Sequence, residues 1–153
     1  MATDSSTHQT ASQFVKYIIV GGMNTLVTLA VIFILKSMFG LNPYFSNAVG
    51  YAAGLVNSFL WNRGWVFHSE GKRIGEAARF LLGFGLCYLL QLATVWMLAT
   101  RTHLNEMLVS MPLPHLPLLP AEFTLSGYGI ATIIGMMVYT VANYAYNRWV
   151  TFK

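Results

Sequence analysis

Two segments of this chain end in the same way, and each ending follows a long apolar run. The pairs are Asn62 with Arg63 and Asn147 with Arg148, and aromatic residues follow both. An apolar helix that ends in a guanidinium and aromatic rings is typical of a membrane interface, where arginine reaches phosphates and water. Two equivalent endings predict an internal duplication. The chain is therefore expected to fold as two similar helical halves that each end at a membrane surface.

The composition points to the same class of protein. Of the 153 residues, 56% are hydrophobic and 9% are charged, whereas ordinary globular domains carry about 25% charged residues. The formal net charge is +4, and with so few charges we expect the excess to face anionic lipid rather than nucleic acid. The single cysteine, Cys87, lies in an apolar run and cannot form an intramolecular disulfide.

Four uncharged apolar runs are each close to the roughly 20 residues that cross a bilayer as a helix. They cover residues 17–35, 44–61, 80–100 and 124–146. The predicted fold class is therefore an all-α membrane protein with four transmembrane helices. The duplication divides these helices into two parallel two-helix repeats, residues 14–67 and 79–153, related by a pseudo-twofold axis along the membrane normal.

The segments outside the runs are expected to be polar tails and loops. Residues 1–13 are predicted to form a disordered cytoplasmic tail, residues 68–78 a cytoplasmic connector, and residues 101–123 an outer loop whose four prolines exclude a regular helix. Four spans place the tail, the connector and the C-terminus on one side with seven Lys and Arg residues, against two on the other side. The positive-inside rule then predicts that both termini are cytoplasmic.

Small residues recur at intervals of four in the second run, and a similar stripe occurs in the last run. Small side chains at this interval let helix backbones approach closely in lipid, where van der Waals contact holds helices together. The stripe of the second run comprises Ser46, Gly50, Gly54 and Ser58, and that of the last run begins with Ala131 and Gly135. Both stripes predict helix packing.

Several function classes are disfavoured by what the sequence contains. All five Asp and Glu residues lie outside the four runs, whereas a proton-coupled exporter is expected to keep a carboxylate within a span. The chain has no G-x-x-x-x-G-K-[ST] loop for ATP. Its four histidines have no metal-ligand spacing. We therefore expect neither an enzyme nor a bound metal or other cofactor.

Positive charge concentrates at the predicted cytoplasmic face. Lys16 and Arg79 open the first and third runs, where helix N-termini favour anions, and Arg63 and Arg148 close the second and fourth. The arginine fork matches phosphate oxygens two at a time. The candidate substrate-binding residues are these cations and the amides near them: Arg63, Arg148, Asn62, Asn147, Lys16, Arg79, Asn24, Asn57 and Asn143. Two simpler interpretations stay open, namely cations that only anchor helices and amides that only bond between helices.

The opening from Lys16 to Thr25, with its Gly-Gly-Met-Asn-Thr segment, the doubled Asn-Arg ending and the four-span plan resemble the GtrA-like family over residues 14–153. This resemblance implies a protein that flips a polyprenyl-phosphate-linked monosaccharide from the cytoplasmic to the outer leaflet of the bacterial inner membrane, for glycosylation of cell-surface polysaccharide. It also implies a membrane glycosyltransferase as a partner that loads the sugar in the cytoplasm. The chain departs from the family in its Pro-rich outer loop and in the residues after Arg148.

The residues and the resemblance together predict one mechanism. Arg63 and Arg148 would capture the lipid phosphate, helped by Lys16 and Arg79, and the sugar would pass along the amides while the isoprenoid stays in lipid. The alternative is a non-transporting membrane partner that recruits or stabilises a glycosyltransferase. A homo-oligomer, specifically a dimer, is also expected, because four short helices give little lateral enclosure. Nucleic acid is not expected as a partner.

Overall fold

The computed structural model describes residues 2–101 and 127–153, and this part of the chain is helical apart from short connections. The described residues form four α-helices, which we number α1 (Ala2–Phe33), α2 (Pro43–Trp61), α3 (Arg73–Arg101) and α4 (Gly127–Tyr146). Residues 2–101 and 127–153 contain no β-strand. The predicted all-α fold is thereby confirmed for the part of the chain that the structure describes.

Among the residues that the structure describes, two segments are long and apolar enough to cross a membrane as helices. They are His8–Met38, with 31 residues, and Arg73–Thr100, with 28 residues. Large apolar side chains on these segments face outward, and those of Leu26 and Leu89 are 69% and 62% exposed. Continuous apolar surface of this kind is expected to contact a membrane rather than water. The prediction of four spans goes beyond these two segments and stays a prediction.

Three of the helices end in a single π-helical turn, in which a backbone N–H donates to the carbonyl five residues earlier. These turns are Ile34–Met38 after α1, Asn62–Val66 after α2, and Asn147–Thr151 after α4. In the second turn, the N–H of Phe67 donates to the carbonyl of Asn62 at 2.9 Å. Both Asn-Arg pairs therefore begin a wider turn.

Two element boundaries differ from the sequence predictions. α1 begins at Ala2, so residues 2–13 are helical where a disordered tail was expected. No glycine or proline interrupts residues 2–20, and a helix that has already formed extends by one hydrogen bond for each residue added. α3 begins at Arg73, inside the connector predicted for residues 68–78. The predicted outer loop, residues 101–123, lies outside the described residues from position 102 onward.

The chain divides into two compact units, of which the first comprises Met1–Phe80 and Arg148–Lys153. In this unit α2 packs on α1 along the predicted stripe, because Ser46, Gly50 and Gly54 are all buried. A Cβ atom on Gly50 would lie 2.5 Å from Cγ1 of Ile32 and 3.0 Å from the carbonyl oxygen of Thr28. The missing side chain thus permits the close approach of the two helices.

The second unit comprises Leu81–Asn147 and has a similar helix contact. A Cβ atom on Gly135 would lie 2.6 Å from Cγ2 of Val95 and 3.4 Å from the carbonyl oxygen of Gln91. Ala131, one helical turn earlier in the same stripe, is 0% exposed. Small residues on α4 therefore allow α3 to pack closely. The repeat boundaries at residues 14–67 and 79–153 describe a sequence duplication and stay a prediction.

Candidate functional site

The end of α2 positions Asn62, whose side chain is 1% exposed. Its amide Nδ2 donates to the carbonyl oxygen of Ser58 at 2.8 Å and to the Ser58 hydroxyl at 3.2 Å, one turn earlier. Its carbonyl Oδ1 is buried and accepts no hydrogen bond from the described residues. An unmet acceptor in this position costs free energy, so Oδ1 of Asn62 is suited to a hydroxyl or water donor.

Arg63, the next residue, has a carboxylate partner. Its Nε donates to Oε2 of Glu76 at 2.6 Å, and its Nη2 donates to the carbonyl oxygen of Gly71 at 2.8 Å. The Ser69 hydroxyl donates to the other carboxylate oxygen of Glu76. The side chain of Glu76 is 1% exposed, whereas that of Arg63 is 18% exposed. The ion pair connects the π-helical turn after α2 to the first turn of α3.

Glu76 is a residue that the sequence reasoning missed. It was assigned to a polar connector, and its pairing with Arg63 depends on the connector bringing together residues that are 13 positions apart. One signal was available, because an acidic residue just before an apolar run is typical of a helix first turn, where the helix dipole favours negative charge. That signal indicates that α3 starts earlier, but it does not identify the partner of Glu76.

Lys16 and Arg79, which open the apolar parts of α1 and α3, contact residues of the π-helical turns. Nζ of Lys16 lies 5.5 Å from the ring centroid of Trp65, within the range of a cation–π interaction. Nη1 of Arg79 donates to the carbonyl oxygen of Val150 at 3.0 Å, and its Nε donates to the carbonyl of Gly75 at 3.2 Å. Both cations are thus held near an Asn-Arg ending in the first unit.

An aromatic cluster in the first unit joins the residues that follow Arg63 to those that follow Arg148. The rings of Phe67 and Phe152 stack with centroids 5.1 Å apart and an interplanar angle of 18°. Phe59 contacts Phe152 at 6.0 Å, and Tyr17 contacts Phe67 edge-on at 6.5 Å. Aromatic pairs of this geometry add stability beyond that of apolar burial. Arg148, in the π-helical turn that leads to Phe152, belongs to the same compact unit as Arg63.

The inward amides fall into two separate groups. In the first unit, Nδ2 of Asn57 on α2 donates to Oδ1 of Asn24 on α1 at 2.7 Å. In the second unit, Nδ2 of Asn147 lies 3.4 Å from Oδ1 of Asn143, and Asn143 contacts the Tyr139 hydroxyl at 3.2 Å. Oδ1 of Asn147 is buried and accepts no hydrogen bond from the described residues. The Asn24–Asn57 pair joins two helices, as the simpler interpretation from sequence predicts, whereas the Asn143–Asn147 pair links residues one turn apart in the same segment.

Four of the predicted substrate-binding residues are cations that lie in the first unit. They comprise three cations whose partners the structure describes (Lys16, Arg63 and Arg79) and a fourth in the same unit, Arg148. Asn147 and Asn143 lie in the second unit, so the predicted set of nine residues is divided between the two units. The assignment of these residues to a substrate stays a prediction.

Comparison with known proteins identifies the family. Residues 16–152 match the family described as "GtrA/DPMS, transmembrane domain", which covers nearly the whole chain. The chain is also similar to an uncharacterized membrane protein, YngA, of Bacillus subtilis (strain 168), with 37% identity over 68 residues. That alignment covers 44% of this chain and 45% of YngA, so the chain matches less than half of the length of this relative. The chain is a membrane protein that belongs to the GtrA/DPMS transmembrane-domain family.

Proposed function

We propose that this protein flips a polyprenyl-phosphate-linked monosaccharide from the cytoplasmic to the outer leaflet of the bacterial inner membrane, for glycosylation of cell-surface polysaccharide. It crosses the membrane four times, with both termini in the cytoplasm, and it has no catalytic step of its own. Membership of the GtrA/DPMS transmembrane-domain family supports a membrane role in glycosylation. The observation that carries the proposal is the gathering of Lys16, Arg63, Arg79 and Arg148 in one compact unit.

The proposed architecture of two equivalent halves is supported by helix contacts that recur. An alignment that places Lys16 on Arg79 also places Thr28 on Gln91 and Ile32 on Val95, and aligning the Asn-Arg pairs places Gly50 on Gly135. Gly50 closely approaches the carbonyl of Thr28 and the side chain of Ile32, and Gly135 approaches the carbonyl of Gln91 and the side chain of Val95. Equivalent contacts at equivalent positions are expected if each half is one two-helix unit.

The same alignment relates the amides of the two endings. Asn62 falls on Asn147, and Ser58 falls on Asn143. In each half the Asn amide nitrogen donates one turn back, to residue 58 or to residue 143, and its buried carbonyl oxygen accepts no hydrogen bond from the part of the chain that the structure describes. We assign these two carbonyl oxygens to hydroxyl groups of the sugar, because a buried acceptor favours a ligand that donates to it.

In the proposed mechanism, the lipid phosphate binds Arg63 and Arg148, and Lys16 and Arg79 add positive charge beside it. Each sugar hydroxyl would cost several kcal/mol in bare hydrocarbon, so the polar amides lower the barrier to its passage. The isoprenoid remains in lipid against the exposed apolar surface of the helices. No ATP-binding loop occurs in the sequence, and net flux therefore follows consumption of the sugar outside. A homo-oligomer, specifically a dimer, is part of the proposal.

Transfer between leaflets in proteoliposomes tests the proposal. Liposomes that contain the purified chain and a fluorescent polyprenyl-phosphate monosaccharide should show transfer, measured as labelled lipid that becomes accessible to a quencher outside. Arg63→Ala and Arg148→Ala should each abolish transfer, whereas Lys36→Ala should leave it unchanged, because Lys36 lies in the π-helical turn after α1 rather than at an Asn-Arg ending. Transfer that is absent with the wild-type protein, while a co-expressed glycosyltransferase is stabilised, would favour the non-transporting alternative.

A further inference from the structure

We propose that Glu76 is a positioning residue, which holds Arg63 so that the outer edge of its guanidinium faces a phosphate. This inference rests on the function proposed above, because it concerns how one of the phosphate-binding arginines is oriented. It adds to that function a residue that does not itself touch the substrate.

The carboxylate of Glu76 is held from both sides. Arg63 donates to Oε2 at 2.6 Å and the Ser69 hydroxyl donates to Oε1. The Glu76 side chain is 1% exposed, so it is unsuited to meeting a lipid headgroup directly. A buried carboxylate of this kind requires partners that satisfy its oxygens. Its geometry therefore fixes the position of the guanidinium that satisfies Oε2.

A guanidinium has five N–H groups in two parallel forks, one formed by Nε with Nη2 and the other by Nη1 with Nη2. The first fork of Arg63 is occupied, because Nε donates to Glu76 and Nη2 donates to the carbonyl of Gly71 at 2.8 Å. The other three N–H groups donate to no acceptor in residues 8–100 and 129–153, whose side chains the structure describes. Both N–H groups of the second fork are therefore available to a ligand, and the Arg63 side chain is 18% exposed.

A fork that is oriented in advance selects a particular ligand class. A flexible arginine loses side-chain freedom when it binds, and this loss weakens the complex, whereas an arginine already fixed by Glu76 and Gly71 has lost that freedom on folding. Two parallel N–H groups match two oxygens of a phosphate monoester or diester. The ligand expected at this edge of the guanidinium is therefore a phosphate with at least two non-bridging oxygens, as in a polyprenyl phosphate.

The test measures binding of geranylgeranyl phosphate to the full chain in detergent micelles, with geranylgeraniol as the matched lipid without phosphate. The variants are Arg63→Ala, Glu76→Gln and the double variant. Glu70→Gln is the control, since it removes the same charge from an exposed position in the connector before α3. Circular dichroism and size-exclusion chromatography verify that each variant is folded.

Positioning predicts a specific pattern of affinities. Arg63→Ala and Glu76→Gln should each weaken binding of the phosphate probe at least tenfold, the double variant should be no weaker than Arg63→Ala, and Glu70→Gln should change affinity less than twofold. In ¹⁵N-arginine-labelled protein, the Nε–H resonance of Arg63 should keep its position when the probe binds, because the contact with Glu76 persists. A purely structural role of Glu76 predicts no such link between its effect and the presence of Arg63.

Other outcomes separate the two proposals. Equal or tighter binding by Glu76→Gln, with weak binding by Arg63→Ala, would overturn positioning by Glu76 and leave the proposed function intact. Full binding by Arg63→Ala would remove Arg63 from the site, and the role of Glu76 would fall with it. If Glu76→Gln does not fold, Ser69→Ala replaces it, because this change frees Oε1 and keeps the ion pair. Ser69→Ala should weaken probe binding two- to fivefold, and unchanged affinity would refute positioning.

Discussion

The close packing of α1 on α2 yields a prediction for Gly50→Ala. The added methyl would meet Cγ1 of Ile32 at 2.5 Å and the carbonyl oxygen of Thr28 at 3.0 Å. Cγ1 lies next to the branched Cβ of Ile32 and has little freedom to move, and the carbonyl belongs to the α1 backbone, so the helices must move apart. Overpacking of this kind costs about 1–3 kcal/mol.

Replacing glycine in a helix also has a stabilising effect that must be subtracted. Alanine is favoured over glycine by about 0.5–1 kcal/mol in a helix interior. The expected net loss for Gly50→Ala is therefore about 1–2 kcal/mol when the backbone clash dominates. Gly22→Ala is the matched control, because a Cβ built on Gly22 would meet no described atom within 4 Å apart from its chain neighbours and the backbone of its own helix turn. That variant should be stabilised by about 0.5–1 kcal/mol.

Reversible unfolding in mixed micelles, followed by circular dichroism, measures both free energies of unfolding. Gly50→Ala should unfold more readily than the wild type, and Gly22→Ala should unfold less readily. Equal shifts for the two variants would refute the reasoning, because they would mean that Gly50 is not in close contact with α1. A loss for Gly135→Ala similar to that for Gly50→Ala would extend the result to the second unit.

Two further predictions concern the connector and the amide pairs. His68 has a positive φ of 51°, which costs a residue with a side chain about 1–2 kcal/mol and glycine far less. His68→Gly should therefore raise the free energy of unfolding by about 0.5–1 kcal/mol, after the larger conformational entropy that glycine loses on folding is counted. A decrease in the free energy of unfolding would contradict this description of the connector. Asn57→Ala removes the 2.7 Å bond to Asn24 and should lower the free energy of unfolding by about 0.6–1.7 kcal/mol, whereas Thr94→Ala, which removes a hydroxyl bonded within its own helix, should change it little. Equal losses for these two variants, measured in the same micelles, would mean that the Asn24–Asn57 bond does not join the helices.

Much of the fold could be predicted from sequence because it follows from short-range patterns. Apolar runs without charges indicated helices, and the intervals of four indicated which face of α2 packs on α1, as the burial of Ser46, Gly50 and Gly54 confirms. The π-helical turns could not be predicted in this way. An α-turn and a π-turn differ by one residue in register, and the residue types at Asn62–Val66 are compatible with either.

The sequence predicted the cations of the candidate site but not the residues that pair with them. The pairs Asn62 with Arg63 and Asn147 with Arg148 stand out because they recur after apolar runs. The ion pair of Arg63 with Glu76 depends on the bend at residues 67–72, where the backbone direction is set by a few dihedral angles rather than by a periodic pattern. Burial of Glu76 is a consequence of that bend, so an alternation of polar and apolar residues gave no sign of it.

The central claim is that Arg63 and Arg148 bind one and the same lipid phosphate. The most direct measurement is the stoichiometry and affinity of ³²P-labelled polyprenyl phosphate bound to the purified chain and to the variants Arg63→Ala and Arg148→Ala. The account predicts one phosphate lipid per chain with the wild-type protein, and a loss of at least tenfold in affinity with either variant. Two phosphate lipids per chain, or full affinity in both variants, would contradict it.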